Sequence, residues 1–450
     1  MTGSQTLAAR LALGVAAGAA GVLLSSLRAI HKPGPDRFRR GLLLAFLCSR
    51  LILFGLVFLV FRVAPRGDIP GFYLPEALAA LQGRLPYRDF ASSYAPLHSY
   101  VDAAVLLAWR SPLALILFAI AVEFLLLWLW LRLGKQIAGE NQLRVAAVLY
   151  LTSALSLQFV AIDGQDNVLV ALLVLLSVWL AMRSEVVRSG IVAALPVVAV
   201  KLIPLFYAPV FFAGLRRRWA WVLGFLIVIA VGYGSFALLR LPVLQPLTIE
   251  GPMKSAGTLP FLFESLTGLS LPVKFWDGWM LLALAAVYAV VWKRSSAGGA
   301  SAEAHSTSQT HALVWGLASA TLVLILFANK SWPAYLMLIL FPLCLPVAAS
   351  GVWARSAFAL FSAVALVEHS YWATLLSQAT ASEFHRALAA GDRAFFRLLL
   401  LELLLLAGYL WLLSKCVMRL LDGGPADLGS GAEPAQAPSR LRSGTGSTTP

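Results

Sequence analysis

The segment from Arg66 to Tyr100 combines a carboxylate with aromatic and guanidinium side chains, which are residue types suited to binding sugars and phosphates. Asp68 follows directly after the apolar run Gly41–Val63, where partial desolvation can tune its proton affinity for general-base work. A single loop aspartate is more commonly just solvated. The neighbours of Asp68 favour a site instead, and the candidate ligand-binding residues here are Tyr73, Arg84, Tyr87, Arg88, Tyr94 and His98.

A second polar group, Asp163-Gly164-Gln165-Asp166-Asn167, lies between two apolar runs and opens the following helix. The free backbone N–H groups and the dipole of a helix start favour an anion at such a place. A tight turn with an aspartate or asparagine cap explains part of the same pattern. A cap does not require Gln165, so a binding role for Gln165, Asp166 and Asn167 and a purely structural turn both stay open.

Two lysines stand apart from the other cations. Lys330 lies in the segment Asn329–Tyr335, on the side of the membrane that should otherwise be short of cations. A lysine that extends from a helix end toward the head groups is the common alternative.

Lys201 lies within the apolar run Gly190–Gly214, and a lysine at membrane depth costs about 2.5–3.5 kcal/mol on insertion scales. We therefore expect a function or a partner for Lys201, with Glu123 or Glu368 as the structural alternative. The same run contains Pro196, Pro204 and Pro209. Because a proline inside a helix removes a backbone hydrogen bond, we predict a broken helix or two short helices here.

The elements that position these residues are apolar. The chain is 60% hydrophobic and only 12% charged, with a mean hydropathy of +0.82, whereas globular proteins carry about 25% charged residues. Most runs have the roughly 20-residue length that spans a bilayer. This excludes a soluble globular domain and predicts an all-α polytopic membrane protein with runs at Leu7–Ala29, Gly41–Val63, Ser111–Leu133, Val145–Ile162, Asn167–Met182, Trp219–Leu239, Phe275–Trp292, His311–Phe327, Pro333–Ala349, Val352–Thr374 and Ala394–Lys415.

The net charge of +14 comes from short basic clusters between the runs, not from a basic face interleaved with aromatic residues. This pattern excludes nucleic acid as a partner and fits membrane lipids. The three cysteines form no CxxC pair, so we interpret Cys48, Cys344 and Cys416 as buried apolar residues and predict no metal site from them.

The basic clusters also predict the orientation. With Arg37–Arg40 in the cytoplasm, alternation of the runs places the other strongly basic connections on the same side. The first run is expected to remain as an uncleaved helix, residues 1–421 to form one membrane domain and residues 422–450 a disordered cytoplasmic tail. The opposite, extracytoplasmic side receives the connections Ala64–Arg110, Asp163–Asp166, Arg240–Lys274 and Asn329–Trp332.

At these segments the sequence resembles the GT-C superfamily of membrane glycosyltransferases and, more narrowly, glycosyltransferase family 87, the polyprenol-phosphate-mannose-dependent α-mannosyltransferases. The likeness extends from about Gly41 to Pro346 and rests on four motifs in the family's order. They are Gly67-Asp68 with Tyr73, Gly83–Tyr87 and Tyr94–Leu97; Gly164–Asn167; Lys201–Pro204 followed by Arg216–Arg218; and Asn329–Tyr335.

The resemblance implies a GT-C-like bundle of about 11–13 transmembrane helices in the cell membrane, with a long first extracytoplasmic loop. It implies transfer of a sugar, mannose in that family, from a polyprenyl-phosphate donor to a hydroxyl of a lipid or glycan acceptor on the extracytoplasmic face. Asp68 would be the general base, and one base suffices because a phosphate leaves without needing an acid. Lys330, His98 and Arg84 or Arg88 would stabilise the phosphate charge.

The residues leave two details of the site open. His98 is an alternative base, because the ordinary imidazole pKa of about 6.5 suits neutral pH. A divalent cation held by Asp89, Asp163 and Asp166 is a further candidate cofactor, although nothing in their spacing demands one.

Two other classes of function compete with the transferase. A carrier or lipid flippase is favoured by Lys201 in a proline-broken run. The concentration of candidate residues on one side of the membrane speaks against it, because a carrier needs a path open to both sides. A scaffold subunit without chemistry of its own predicts that Asp68→Asn and Lys330→Ala are silent.

Overall fold

Residues 3–296 and 302–422 are described by the structure, a computed structural model, and they are helical with no β-strand among them. The predicted tail, residues 422–450, lies outside the described residues except for Asp422, which ends the last helix. In chain order the helices are α1 Gly3–Ser26, α2 Pro35–Phe54, α3 Leu74–Leu81, α4 His98–Ala108, α5 Pro112–Leu133, α6 Glu140–Leu151, α7 Ala154–Ser156, α8 Asn167–Met182, α9 Val186–Ala199, α10 Ala208–Gly214, α11 Arg218–Leu238, α12 Gln245–Glu250, α13 Leu259–Thr267, α14 Val273–Ser296, α15 Ala302–Phe327, α16 Leu340–Ala349, α17 Gly351–Ser370, α18 Ala381–Ala389 and α19 Arg393–Asp422.

Nine helical stretches within the described part of the chain are long and apolar enough to cross a membrane. A helix satisfies its own backbone hydrogen bonds, so such a set of spans is what a bilayer tolerates. The prediction of an all-α, multi-pass membrane architecture is confirmed at this level. The stretches are Gly3–Ser26, Pro35–Val60, Pro112–Gln136, Glu140–Ile162, Arg218–Leu238, Val273–Ser296, Thr307–Phe327, Gly351–Leu375 and Arg393–Asp422.

The remaining predicted runs form shorter helices. The run Asn167–Met182 is α8, and the run Pro333–Ala349 divides into a 3₁₀ segment Pro333–Leu338 and the helix α16. The run Gly190–Gly214 gives two pieces, α9 and a 3₁₀ segment Ile203–Tyr207 that continues into α10. Pro204 stands in the first turn of the 3₁₀ segment, where the missing N–H has no partner to lose, and Pro209 stands in the first turn of α10.

Contacts between the connections show which helix ends lie together. The connection after Val60 contacts the one after Ile162 through Asp68 and Gln165, whose side chains are 3.0 Å apart. The Asn167 amide donates to the Ala334 carbonyl at 3.1 Å, and the Ser255 N–H donates to the Asn329 carbonyl at 3.0 Å. The four predicted extracytoplasmic connections therefore share one end of the bundle, which we call the site end.

The other end, which we call the basic end, carries the arginine-rich connections. Arg39 pairs with Glu140 at 3.1 Å, and Arg355 donates to the Ser25 carbonyl at 2.9 Å. The amide of Gln309 donates to the carbonyl of Gly214 at 2.9 Å. This separation of charge agrees with the grouping expected from the sequence, and the positive-inside rule predicts a cytoplasmic location for the basic end.

The first helix is packed into the bundle along α17. A Cβ atom on Gly14 would lie 2.8 Å from the Cβ of Ala363, and one on Gly18 would lie 2.9 Å from the Cβ of Ala359. Small residues at such contacts let two helix backbones approach closely inside a membrane. The helix thereby brings Arg10 to the site end, where its guanidinium pairs with Asp163 at 3.3 Å.

Candidate active site

Asp68 lies at the junction of two connections of the site end. It precedes the π-helical turn Ile69–Tyr73, which continues into α3. Its Oδ2 atom accepts hydrogen bonds from the Gln165 amide at 3.0 Å and from the Tyr73 hydroxyl at 3.4 Å. The carboxylate is half-buried, so it is oriented by the protein and still open on one side.

A glycine permits this junction. Gly164 has a left-handed backbone with φ +61°, and a Cβ atom there would lie 2.6 Å from the Cδ1 atom of Ile69. A side chain at this position would therefore push apart the turn that carries Gln165 and the turn that follows Asp68. The glycine in the motif thus has a packing reason in addition to the sharpness of the turn.

The second part of the site is a chain of opposite charges around Asp166. The Lys201 ammonium contacts Asp166 Oδ1 at 2.6 Å, and His98 Nε2 contacts Asp166 Oδ2 at 3.2 Å. Lys201 also donates to Asn167 Oδ1 at 3.3 Å. Burial alone would raise the pKa of Asp166, but Lys201 and His98 outweigh burial and hold the pKa below its ordinary value. Asp166 is therefore a carboxylate, and the Lys201 ammonium is already neutralised.

Aromatic rings enclose this charge chain. Tyr94 stacks on the His98 imidazole with ring centroids 4.2 Å apart and an interplanar angle of 16°. The rings of Tyr73 and Tyr94 pack edge to face, with their centroids 5.4 Å apart. The Lys201 nitrogen lies 5.4 Å from the ring centre of Tyr94 and 5.8 Å from that of Tyr335, distances typical of cation–π contacts.

The structure therefore brings together most of the residues that the sequence singled out. We call this group the polar cluster and define it as Asp68, Tyr73, Tyr94, His98, Gln165, Asp166, Asn167 and Lys201.

The other candidates lie outside the polar cluster. Arg84 is exposed, and Arg88 forms an exposed ion pair with Asp89 at 2.9 Å. Tyr87 is buried and donates its hydroxyl to the Tyr94 carbonyl at 2.6 Å, so it supports the position of Tyr94 from behind. Lys330 lies at the same end of the bundle and forms an ion pair with Glu250, a residue that the sequence did not single out.

Asp102 is the most informative residue that the sequence reasoning missed. It lies one turn after His98 on α4, with Oδ2 3.7 Å from His98 Nε2. Burial raises the pKa of Asp102 to about 6, and the His98 charge opposes that rise. Burial alone would lower the pKa of His98, but Asp102 and Asp166 outweigh burial and raise it. The i,i+4 spacing of a histidine and an aspartate was the signal that could have found this pair.

Glu76 was also missed. Its side chain is buried on α3 and accepts a hydrogen bond from the Ser92 hydroxyl at 2.8 Å. Burial raises the pKa of Glu76 to about 7, and the Ser92 hydrogen bond opposes that rise. Glu76 is thus a titratable group behind the wall that carries Tyr94.

The suggested cation ligands do not come together. Asp89 faces Arg88, Asp163 faces Arg10, and Asp166 faces Lys201. No group of three or more histidine, cysteine, aspartate and glutamate side chains in the described part of the chain could hold a metal ion. These three aspartates do not fit the oxygen cage of a divalent cation.

A small, partly open apolar cavity of about 20 Å³ adjoins the polar cluster. Tyr73, His98, Asp102 and Asp166 line its polar end. Its apolar wall is one face of α5, formed by Leu115, Phe118, Ala119 and Val122. His98 Nδ1 and Asp102 Oδ2 are buried and make no hydrogen bond within the described residues. The cluster therefore combines a positioned carboxylate, paired cations and an adjoining apolar surface.

Comparison with models of known protein families and with curated protein sequences gave no significant match for this chain.

Proposed function

We propose that this protein is an integral-membrane glycosyltransferase with a GT-C-like architecture. It moves a sugar, mannose by the family resemblance, from a polyprenyl-phosphate donor to a hydroxyl of a lipid or glycan acceptor on the extracytoplasmic face of the cell membrane. One observation carries the proposal. Asp68 is a half-buried carboxylate that Gln165 and Tyr73 orient, and the nearby Lys201 ammonium is paired with Asp166.

This separation suits a general base. Asp166 is neutralised by Lys201, whereas Asp68 accepts hydrogen bonds from two neutral groups, the Gln165 amide and the Tyr73 hydroxyl. In the reaction we propose, Asp68 takes the proton of the acceptor hydroxyl as its oxygen attacks C1 of the sugar. The bond between C1 and the phosphate oxygen breaks, and the lipid phosphate leaves with the electron pair.

Attack opposite the departing phosphate inverts the configuration at C1, and no acid is needed because the phosphate leaves as a stable anion. Cations placed near that anion lower the barrier as its charge develops. Lys330 is one candidate, and the charge chain His98–Asp166–Lys201 supplies a second, more buried one.

The membrane setting supports a lipid-linked donor. The polar cluster lies where several apolar helices end, and the adjoining cavity is lined both by His98 and Asp166 and by apolar residues of α5. A donor with a charged head and a hydrocarbon tail suits a site in which polar and apolar surfaces meet in this way. A soluble nucleotide sugar would not use the apolar wall.

A carrier or flippase for a glycolipid is the second candidate, and the break between α9 and the segment that begins at Ile203 favours it. Discontinuous helices with a charged residue at the break are typical of carrier binding sites. Lys201 lies in this break and contacts Asp166 across it. The break opens on the site end, however, and the described contacts give no polar path along these two pieces toward the basic end.

A single assay separates these functions. Purified protein in lipid vesicles is given several radiolabelled polyprenyl-phosphate sugars, together with a membrane-lipid extract as the source of acceptors. Transfer of label into the extract, absent in the Asp68→Asn protein, would support the transferase. Movement of the intact labelled donor across the bilayer without sugar transfer would contradict it in favour of the carrier. Neither activity from folded protein would leave the scaffold function.

A further inference from the structure

The short helix α12 connects the two walls of the site end. At its start, Gln245 Oε1 accepts the backbone N–H of Ser92 at 3.0 Å. At its end, Glu250 pairs with Lys330. Ser92 lies two residues before Tyr94 and its hydroxyl accepts the Tyr94 N–H at 3.1 Å. One six-residue helix therefore ties the aromatic wall of the polar cluster to the segment that carries Lys330.

The ion pair at Lys330 differs from the ion pair at Lys201. Lys201 and Asp166 are 13% and 11% exposed, and Asp166 is held a second time by His98. Lys330 and Glu250 are 18% and 30% exposed. The Lys330 nitrogen also contacts two uncharged groups, the Met253 sulfur at 3.3 Å and the Trp332 ring, whose centre is 5.5 Å away. An incoming anion would find Glu250 easier to replace than Asp166.

Glu250 is followed by an exposed stretch of chain that leads to a buried one. Gly251, Pro252 and Met253 are exposed, whereas residues 255–258 are buried. The buried part is anchored, because the Ser255 N–H donates to the Asn329 carbonyl at 3.0 Å and the Gly257 N–H donates to the Glu402 carboxylate at 2.9 Å. The α12 helix is thus joined through an exposed three-residue stretch to a fixed support.

We propose that Glu250 occupies the place of the substrate phosphate at Lys330, so that a phosphate ester binds by displacing the Glu250 carboxylate and releasing α12. The proposal rests on the proposed function, in which the donor and the released product both carry a lipid phosphate. Glu250 then acts as a specificity-determining residue. A neutral lipid gains nothing by competing with a carboxylate for Lys330, whereas a phosphate brings its own charge and additional acceptor oxygens.

The test measures binding of polyprenyl phosphate, the lipid phosphate without a sugar, to the purified full-length protein in detergent. Glu250→Gln should bind it about two- to fivefold more tightly, which is the worth of a partly exposed ion pair. Lys330→Gln should bind it about tenfold more weakly because the charged partner of the phosphate is gone. The double variant should behave like Lys330→Gln. Glu264→Gln is the matched control, since it breaks the Lys254–Glu264 pair in the same connection and should leave binding unchanged.

Gln245→Ala provides an independent variant that releases the other end of α12, and it should tighten binding in the same direction as Glu250→Gln. Tighter binding by both variants, with the Glu264→Gln protein unchanged, supports the proposal. Unchanged or weaker binding by folded Glu250→Gln protein, or by Gln245→Ala protein if Glu250→Gln fails to fold, overturns it. Sugar transfer is measured separately on the same proteins. Transfer without tighter binding therefore refutes only the role of Glu250, whereas tighter binding without transfer refutes only the transferase.

Discussion

Two buried ion pairs in this bundle each lie at a break in a helix, and they differ in whether anything outside the protein can reach them. At the first break, Lys201 follows α9 and pairs with Asp166, beside the apolar cavity and the half-buried Asp68. At the second break, Arg50 donates to the Leu151 carbonyl at 2.6 Å, where α6 ends before α7 begins. Its ion-pair partner is Glu123 on α5, at 3.8 Å.

The second pair is closed. The side chains of Arg50 and Glu123 are both 0% exposed. The hydroxyl of Ser156 links them, accepting from the guanidinium at 2.5 Å and donating to the carboxylate at 2.5 Å. These contacts use the charges to satisfy a free carbonyl at the helix break. A buried ion pair in a membrane is expected to mark a functional site. The Arg50–Glu123 pair shows that a structural contact can also provide buried charges with the partners they need. The two ion pairs therefore differ in whether a ligand can reach them, and not in burial or charge alone.

The largest effect is expected at Asp68, in the accessible region. Asp68→Asn should lower the rate of sugar transfer by about 10²–10⁴-fold, the usual contribution of a general base, because an amide cannot take the acceptor proton. The melting temperature should change little, since the amide can still accept hydrogen bonds from Gln165 and Tyr73. The measurement is the transfer rate per folded molecule in vesicles.

The control for this experiment is Asp36→Asn, the same chemical change at an 83% exposed aspartate of the basic end. It should leave the transfer rate unaltered. Substantial transfer by folded Asp68→Asn protein would remove Asp68 from the role of the base.

The closed pair should respond in the opposite way. Arg50→Met should lower the free energy of unfolding by about 3–5 kcal/mol, because it leaves the Glu123 carboxylate buried without its partner. Replacing both residues, Arg50→Met with Glu123→Leu, should recover much of the loss. Denaturant or thermal unfolding in detergent measures both effects. An Arg50→Met protein of unchanged stability that no longer transfers sugar would place Arg50 in the site and undo the distinction.

The polar cluster was largely predictable because its members stand at the ends of apolar runs. Asp68 follows one run and Gln165 follows another, and alternation of the spans places both on one side of the membrane. That rule needs no knowledge of which helices are neighbours. The Asp68–Gln165 contact at 3.0 Å agrees with the same-side placement, while the roles of these residues remain predictions.

Partners inside the bundle were not predictable in this way. The structural alternative for Lys201 was an ion pair with Glu123 or Glu368, because all three lie in apolar runs. The structure gives Lys201 the partner Asp166, and Glu123 belongs to Arg50. A single sequence contains no information on which helix faces pack together, so a buried charge can be recognised while its partner cannot.

Glu76 tests the boundary between the closed and the accessible regions, because it is buried like Glu123 but lies behind the accessible polar cluster. Burial raises the pKa of Glu76 to about 7 from an ordinary 4.5. The folded state therefore favours the neutral carboxyl, and the stability it contributes is complete below about pH 4.5 and lost as the pH rises through 7. The loss amounts to about 3 kcal/mol at most. Glu76→Gln cannot titrate, so unfolding measured between pH 5 and pH 8 should show a variant that gains relative stability with rising pH. A constant difference between the two proteins would contradict the raised pKa.

Asp102 gives the smallest expected effect, because it does not belong to the polar cluster and acts on it through the charge of His98. Asp102 and Asp166 raise the pKa of His98 against the effect of burial, so the imidazolium is present below the folded pKa and lost as the pH rises through it. Asp102→Asn removes one of these carboxylates, and the imidazolium that holds Asp166 is then lost at a lower pH.

If the charge chain supports transfer, the alkaline limb of the pH–rate profile should shift to lower pH. The fall at neutral pH should stay well below the roughly hundredfold minimum expected of a missing base. The difference should be largest above about pH 6, where Asp102 itself is ionised in the unsubstituted protein. A uniform fall in rate at every pH would instead mean that Asp102 acts only through the packing of α4.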